Sequence, residues 1–177
     1  MHHGPPAAFH GEDKAMPDIE RVGSGYDLHR TDQNRPLILG GVRIESEVGL
    51  AGHSDADAVI HAVMDALLGA AGLPDVGELF PDTDPRYKDA DSRLLLRDVL
   101  ARLQQHGWEP VNVDVTICAQ RPRLSPHKSA MAESLAHLLG LERHAVSIKA
   151  KTNEGLDAVG KGEAIACYAV AGLCRTA

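Results

Sequence analysis

The chain is expected to fold as one α/β domain (α+β mixed), a single-domain mixed β-sheet with helices packed on one face. Three observations predict it. Strand-type segments come in pairs with helix-type segments between them, and such an order buries a sheet under one helical layer. At 177 residues the chain is long enough for one buried core, and it shows no internal repeat. Its hydrophobic content of 44% includes only 3% aromatics, so that core must be made of Val, Leu, Ile and Ala.

Residues 1–20 are polar, contain His and Pro and lack periodicity, and are read as a disordered leader; His2, His3 and His10 are therefore poor site candidates. The domain is expected over residues 21–175. Arg21 to Arg30 reads as the first strand, and its period of two points Asp27 and His29 to one face and Leu28 to the other. Gly23 and Gly25 in that strand signal the close approach of another backbone or a ligand. Leu37 to Ile44 forms two short strands broken by Gly40-Gly41, a hairpin that is expected to add to the same sheet.

Ser54 is expected to cap a helix carrying Asp55 and Asp57 in its first turn, with Val59, Ile60, Val63, Met64, Leu67 and Leu68 as its apolar stripe. Asp57, His61 and Asp65, each four apart, should point the same way along it. Small residues from Gly69 to Gly77 end the helix, and an acidic, turn-rich loop from Phe80 to Pro85 follows. Asp91-Ser92 starts a second helix that stops at Gly107, and Val111 to Ala119 alternates as a strand. Arg121-Pro122-Arg123 is a stiffened cationic turn, a third helix runs from Ser125 to Gly140, and Val146–Ala150 and Ala164–Leu173 supply the last strands.

Several function classes are excluded at this level. A net charge of −7 argues against nucleic acid as a partner. No segment has the roughly 18 consecutive apolar residues of a membrane span, and no signal peptide is evident, so a cytoplasmic location is expected. Cys118, Cys167 and Cys174 form no CxxC pair and read as inert thiols. Gly155 to Lys161 imitates a phosphate-binding loop until Gly162 takes the place of the Ser or Thr that holds magnesium. A strand rather than a helix follows it, so a P-loop is rejected.

The chemistry that coheres is carried by Asp27, His29 and His61. Two ligand types at a strand end and one on a helix leave a tetrahedral Zn2+ one open position for a substrate oxygen. His53 and Ser54 offer donors to an anion from what is expected to be a helix N-terminus, and Lys151 and Thr152 do so from another segment. These groups point to phosphate chemistry.

Gly23-Ser24-Gly25-Tyr26-Asp27-Leu28-His29, Gly52-His53-Ser54-Asp55-Ala56-Asp57 followed by His61, Phe80-Pro81-Asp82-Thr83-Asp84-Pro85 and Lys149-Ala150-Lys151-Thr152-Asn153-Glu154 occur in this order. Together they closely resemble the 2-C-methyl-D-erythritol 2,4-cyclodiphosphate synthase family of the non-mevalonate isoprenoid pathway, from about Arg21 to about Leu173. The resemblance implies a homotrimer with active sites between subunits, and a cytidine diphosphate substrate cyclised with release of CMP. It implies Asp27, His29 and His61 as Zn2+ ligands and Glu154 as a ligand of a second divalent cation, Mg2+ or Mn2+, on the diphosphate. His53 and Thr152 take the catalytic positions and Ser54 a phosphate contact. Asp75, Gly77, Phe80, Pro81, Asp82, Thr83 and Asp84 fall around the sugar and methylerythritol hydroxyls. Ala119, Gln120, Arg121, Pro122, Arg123, Leu124 and Ser125 form the cytosine loop, and Lys151, Asn153, Ala158 and Lys161 complete the substrate contacts.

This chain departs from the family pattern in the segment after Glu154. Gly155-Leu156-Asp157-Ala158 stands where Lys-Leu-Gly-aromatic is common, Lys161 where Arg is frequent, and Tyr168 where Glu is frequent. A zinc phosphohydrolase that makes a metal hydroxide, and a non-catalytic zinc-stabilised CMP-binding protein, are the competing functions.

Overall fold

The structure, a computed structural model, describes residues 18–176. Most of the expected leader, residues 1–17, lies outside the described residues. Strand β1 (Arg21–Asp32) is followed by the hairpin strands β2 (Leu37–Leu39) and β3 (Val42–Ile44), then by the short β4 (Gly49–Leu50). Helix α1 (Ala58–Ala71), the single turn α2 (Val76–Leu79) and helix α3 (Ser92–Gln105) lead to β5 (Trp108–Cys118). Helix α4 (Lys128–Leu139), β6 (Val146–Lys151), the single turn α5 (Asp157–Gly160) and β7 (Ala164–Arg175) complete the order.

The main sheet runs β4-β1-β7-β5-β6, with only β5 and β6 parallel, so it is mixed as expected. The hairpin corrects the expectation that it joins this sheet. β2 and β3 pair only with each other, through Leu37↔Ile44 and Leu39↔Val42, as a separate two-stranded sheet. Gly40 and Gly41 turn it with φ of 61° and 74°, a region that glycine enters without a Cβ penalty.

Helix α1 lies against the sheet and is buried along most of its length, which is why it is apolar almost all round. Its closeness to β1 is set by two glycines. A Cβ on Gly23 would stand 2.1 Å from the Ala66 carbonyl oxygen, and one on Gly25 2.0 Å from that of Ala62. The backbones can meet at this spacing only where one partner has no side chain. These contacts pair later strand positions with earlier helix positions. Two residues beyond Gly25, Asp27 therefore lies under the first turns of α1.

The start of α1 differs from the expectation. Its N-cap is Asp57, not Ser54, and the Asp57 carboxylate accepts the Val59 and Ile60 N–H groups at 3.1 Å each. The same carboxylate accepts the N–H of Gly40 at 2.8 Å and of Gly41 at 2.6 Å, locking hairpin to helix. Burial pushes its carboxyl up to about 6 against these four donors. Asp57 thus turns away from His61, and the expected stripe of Asp57, His61 and Asp65 does not act on one target. The second and third helices begin and end close to their expected positions, α3 capped by Asp91 and α4 closed by Gly140 at φ 68°.

On the other face, among the described residues, only the single turn α5 packs, its Val159 against Ala164 and Ala166 at one end. That face presents Val22, Tyr26, Leu28, Tyr168 and Val170, with the Tyr26 and Tyr168 rings 4.8 Å apart on facing strands. Cys167 and Cys174 are buried free thiols, and burial raises both. Among the described residues no helix is long and apolar enough to cross a membrane.

Candidate active site

The pleat of β1 aims Asp27 and His29 at α1, where they meet His61 from the helix's first turn. Asp27 Oδ2 lies 2.9 Å from His29 Nε2 and 3.1 Å from His61 Nδ1. The two imidazole nitrogens are 3.2 Å apart. A tetrahedral ion with arms of about 2.0–2.1 Å separates its ligands by about 3.3 Å, and the three donors stand close to that spacing. This trio is a candidate three-residue metal site.

The other nitrogen of each histidine is engaged. His29 Nδ1–H donates to the Ala51 carbonyl at 2.7 Å, which leaves Nε2 as the ligating atom. Gly52 allows this, because a Cβ there would sit 3.0 Å from the His29 ring. His61 Nε2 stands 2.9 Å from Ser92 Oγ and 3.2 Å from Ser54 Oγ. The electrostatics favour the charged forms of Asp27 and His29. Burial pushes Asp27 up, but hydrogen bonds and charge from His29 and His61 outweigh it and hold the carboxyl well below the usual range. Burial likewise pushes His29 down, and the Asp27 hydrogen bond reverses this and raises it.

The trio lines an open cleft of about 570 Å³, with His53 and Ser54 from the loop before α1 and Gly77, Phe80 and Asp82 from the two turns that follow. That loop is firmly held. Arg35 donates to the carbonyls of both Gly52 and Ser54, and the Asp89 N–H donates to the His53 carbonyl at 2.7 Å. Its Ala56 adopts φ 58°, a left-handed conformation costing about 1–3 kcal/mol that the surrounding bonds sustain. His53 Nε2–H donates to the Asp84 carbonyl at 3.2 Å, tying the loop to the Phe80–Pro85 turn.

The remaining expected residues divide. Asp75 caps α2 through the Glu78 N–H at 2.9 Å, and Asp84 uses its carboxylate on Arg86, whose hydrogen bonds hold that carboxyl low. Pro81 and Thr83 sit in the same turn as Asp82 but do not line the cleft. Ala119, Gln120, Pro122, Arg123, Leu124 and Ser125 line a second cleft of about 280 Å³ together with Lys151 and Thr152. Arg121 precedes a cis proline bond and packs against Gly162. Neither cleft is lined by Asn153, Glu154, Ala158 or Lys161. Glu154 is exposed, has φ 50° and accepts the Thr152 hydroxyl at 2.7 Å. Asn153 donates to Asp157 at 2.8 Å.

Sequence reasoning left out Asp65, Val76, Tyr87 and Leu95, which also line the metal cleft. Asp65 carried a signal in its spacing of four from His61. Its carboxylate, pushed up by burial, accepts the Val76 N–H at 2.9 Å and so holds α2 over the cleft. Tyr87 packs edge-on against Phe80, at 5.3 Å between ring centroids.

The fold and this cleft define a mixed α/β single domain with a candidate metal centre facing a cleft lined by a histidine and a serine from a fixed loop. Residues 20–174 match the YgbB family, and the chain belongs to it. It is 57% identical over 157 residues to a 2-C-methyl-D-erythritol 2,4-cyclodiphosphate synthase of Bordetella avium, covering 89% of this chain and 97% of the relative. The enzyme of the same name from Dechloromonas aromatica is 58% identical over 151 residues, 85% of this chain and 94% of that one. A solved 2C-methyl-D-erythritol-2,4-cyclodiphosphate synthase in a CDP-bound form is similar with a TM-score of 0.80 at 40% identity, covering 87% of this chain and 100% of that one.

Proposed function

We propose that this chain converts 4-diphosphocytidyl-2-C-methyl-D-erythritol 2-phosphate into 2-C-methyl-D-erythritol 2,4-cyclodiphosphate and CMP, as a phosphorus-oxygen lyase of the cytoplasm. The observation that carries it is the Asp27, His29 and His61 trio, spaced for a tetrahedral ion and open to a cleft beside His53 and Ser54. Its family relatives bear the name of that reaction.

In the reaction an oxygen of the 2-phosphate forms a bond to the β-phosphorus. The bond from that phosphorus to the bridging oxygen breaks, and CMP leaves with the electron pair. Both reacting groups are anionic, so the protein's task is to position them and offset their charge. Asp27, His29 and His61 would hold Zn2+ and Glu154 a second divalent cation, Mg2+ or Mn2+; these ions supply charge neutralisation and orientation of phosphate oxygens. His53 and Thr152 are the donors for the transferring phosphoryl group, and Ser54 binds phosphate. Asp75, Gly77 and Phe80 to Asp84 receive the sugar and methylerythritol hydroxyls. Ala119 to Ser125 receive the cytosine, with Lys151, Asn153, Ala158 and Lys161 on the phosphate side.

A homotrimer is part of this reading. The metal cleft shares no lining residue with the cleft formed by Ala119, Gln120, Pro122 to Ser125 and Thr152 on one chain, and a substrate that spans both kinds of cleft is served by neighbouring protomers. The exposed apolar face of the sheet, with Tyr26, Leu28, Tyr168 and Val170, supplies a surface for that assembly.

Phosphorus NMR of the purified protein with the cytidyl substrate tests the assignment before chelation, after it, and after zinc and magnesium are restored. CMP together with a cyclic diphosphate is expected only when metal is present. CMP with a linear bisphosphate would identify a hydrolase, and tight CMP binding without turnover under any metal condition would identify a binding protein.

A further inference from the structure

His61 turns Nδ1 toward Asp27 and His29, so in a neutral imidazole ready to ligate from that atom the proton belongs on Nε2. Nε2 meets Ser92 Oγ at 2.9 Å. Ser92 is the first residue of α3 and is 0% exposed, so water cannot satisfy its hydroxyl. Its Oγ also contacts Asp55 Oδ1, and its N–H donates to Asp55 Oδ2 at 3.1 Å. The Asp55 carboxylate additionally accepts the Asp57 N–H at 3.3 Å.

The direction of this chain is fixed at its far end. An ionised carboxylate only accepts, so the Ser92 hydroxyl must donate its single hydrogen to Asp55. Toward His61 the oxygen then has only lone pairs to offer, and it accepts the Nε2–H. For His29 the Ala51 carbonyl does the same job with backbone alone. We propose that Ser92, oriented by Asp55, is a positioning residue that keeps His61 in the tautomer whose Nδ1 is free to bind the metal. This rests on Asp27, His29 and His61 holding a divalent ion, as assigned above. Outer partners of metal-bound histidines typically contribute about 10- to 100-fold in metal affinity.

The test measures zinc dissociation constants by competition with a chromogenic chelator for the wild type, Ser92→Ala, Asp55→Asn and the double variant, with His61→Ala as control. Ser92→Ala removes the hydroxyl but retains the N–H bond to Asp55. It should bind zinc about 10- to 100-fold more weakly while the metal-free protein keeps the wild-type circular dichroism spectrum at the assay temperature. Because Asp55 acts through Ser92, Asp55→Asn should weaken zinc in the wild-type background and add less than about twofold to Ser92→Ala. A wild-type zinc affinity in Ser92→Ala, or a loss in the double variant equal to the product of the single losses, would overturn the positioning role.

A second measurement needs no variant. Long-range proton–nitrogen NMR of the zinc-loaded wild type should show hydrogen on Nε2 of His61 and the metal-shifted resonance on Nδ1; the reverse assignment would overturn the proposal. If His61→Ala binds zinc as tightly as the wild type, the metal centre itself is wrongly placed and the role of Ser92 falls with it. A wild-type centre that is lost in His61→Ala but unmoved in Ser92→Ala removes only Ser92.

Discussion

The two groups of residues assigned to the reaction are built in opposite ways. Asp27, His29 and His61 come from a strand and a helix whose backbones touch through Gly23 and Gly25, and each histidine is bonded on its far nitrogen. Thr152, Asn153 and Glu154 come from the connection between β6 and β7, where Thr152 bonds to Glu154, Asn153 bonds to Asp157 within the same connection, and Glu154 is exposed. The difference teaches that the metal half is finished by the folding of one chain. The other half is anchored only by the small cluster of Val159, Ala164 and Ala166, and in the proposed assembly it is completed against a neighbouring protomer and the substrate.

The contrast breaks most severely if His61 is dispensable. His61→Ala should lower kcat/KM by about a thousandfold, the equivalent of about 4 kcal/mol, with an unchanged circular dichroism spectrum. Turnover that survives both this change and metal removal would dismiss the trio as the reacting centre. Gly25→Ala tests the packing behind it. A Cβ 2.0 Å from the Ala62 oxygen forces β1 and α1 apart, so denaturant unfolding should report a loss of about 3 kcal/mol, with weaker zinc retention.

Thr152→Ala probes the other half and should separate rate from stability. Turnover should fall about 100-fold. Stability should stay within about 0.5 kcal/mol, because the exposed hydroxyl bonds only to Glu154 in this structure. A large drop in melting temperature would mean that this segment is structural after all.

The smallest effect is a pH dependence of the metal-free protein. Asp27 is held below its ordinary 3.8, so its contribution is present above that value and is lost as the pH falls through the folded-state value. His29 is raised above its ordinary 6.5, so its contribution is complete below 6.5 and disappears as the pH rises through the raised value. Both are in force between 3.8 and 6.5, and thermal melts should show a stability advantage there that His29→Ala flattens.

Much of the metal half was legible in the sequence because it follows local periods. The pleat alone put Asp27 and His29 on one face, and the glycines before them announced a neighbouring backbone, which is α1. His61 was marked by its place in the helix of apolar residues that follows Ser54, four residues after Asp57. The cap of α1 was misread because Ser54-Asp55-Ala56-Asp57 contains three residues able to cap a helix. The choice fell to Asp57 through the N–H groups of Gly40 and Gly41, a contact across the fold that no local pattern carries. The hairpin's separation from the main sheet was hidden for the same reason, since strand pairing is decided by partners distant in sequence. For Glu154, Asn153 and Ala158 no local signal exists, and only the resemblance singled them out.

The Arg35 clamp has a thermodynamic consequence. With the carbonyls of Gly52, His53 and Ser54 all bound, no peptide plane in that loop can rotate without breaking a hydrogen bond. The entropy of ordering a residue's backbone, about 1–2 kcal/mol, is therefore spent during folding and not when the ligand arrives. Arg35→Ala would shift that cost to the binding step, and calorimetry would register it as a more unfavourable entropy of ligand association with the metal trio still in place.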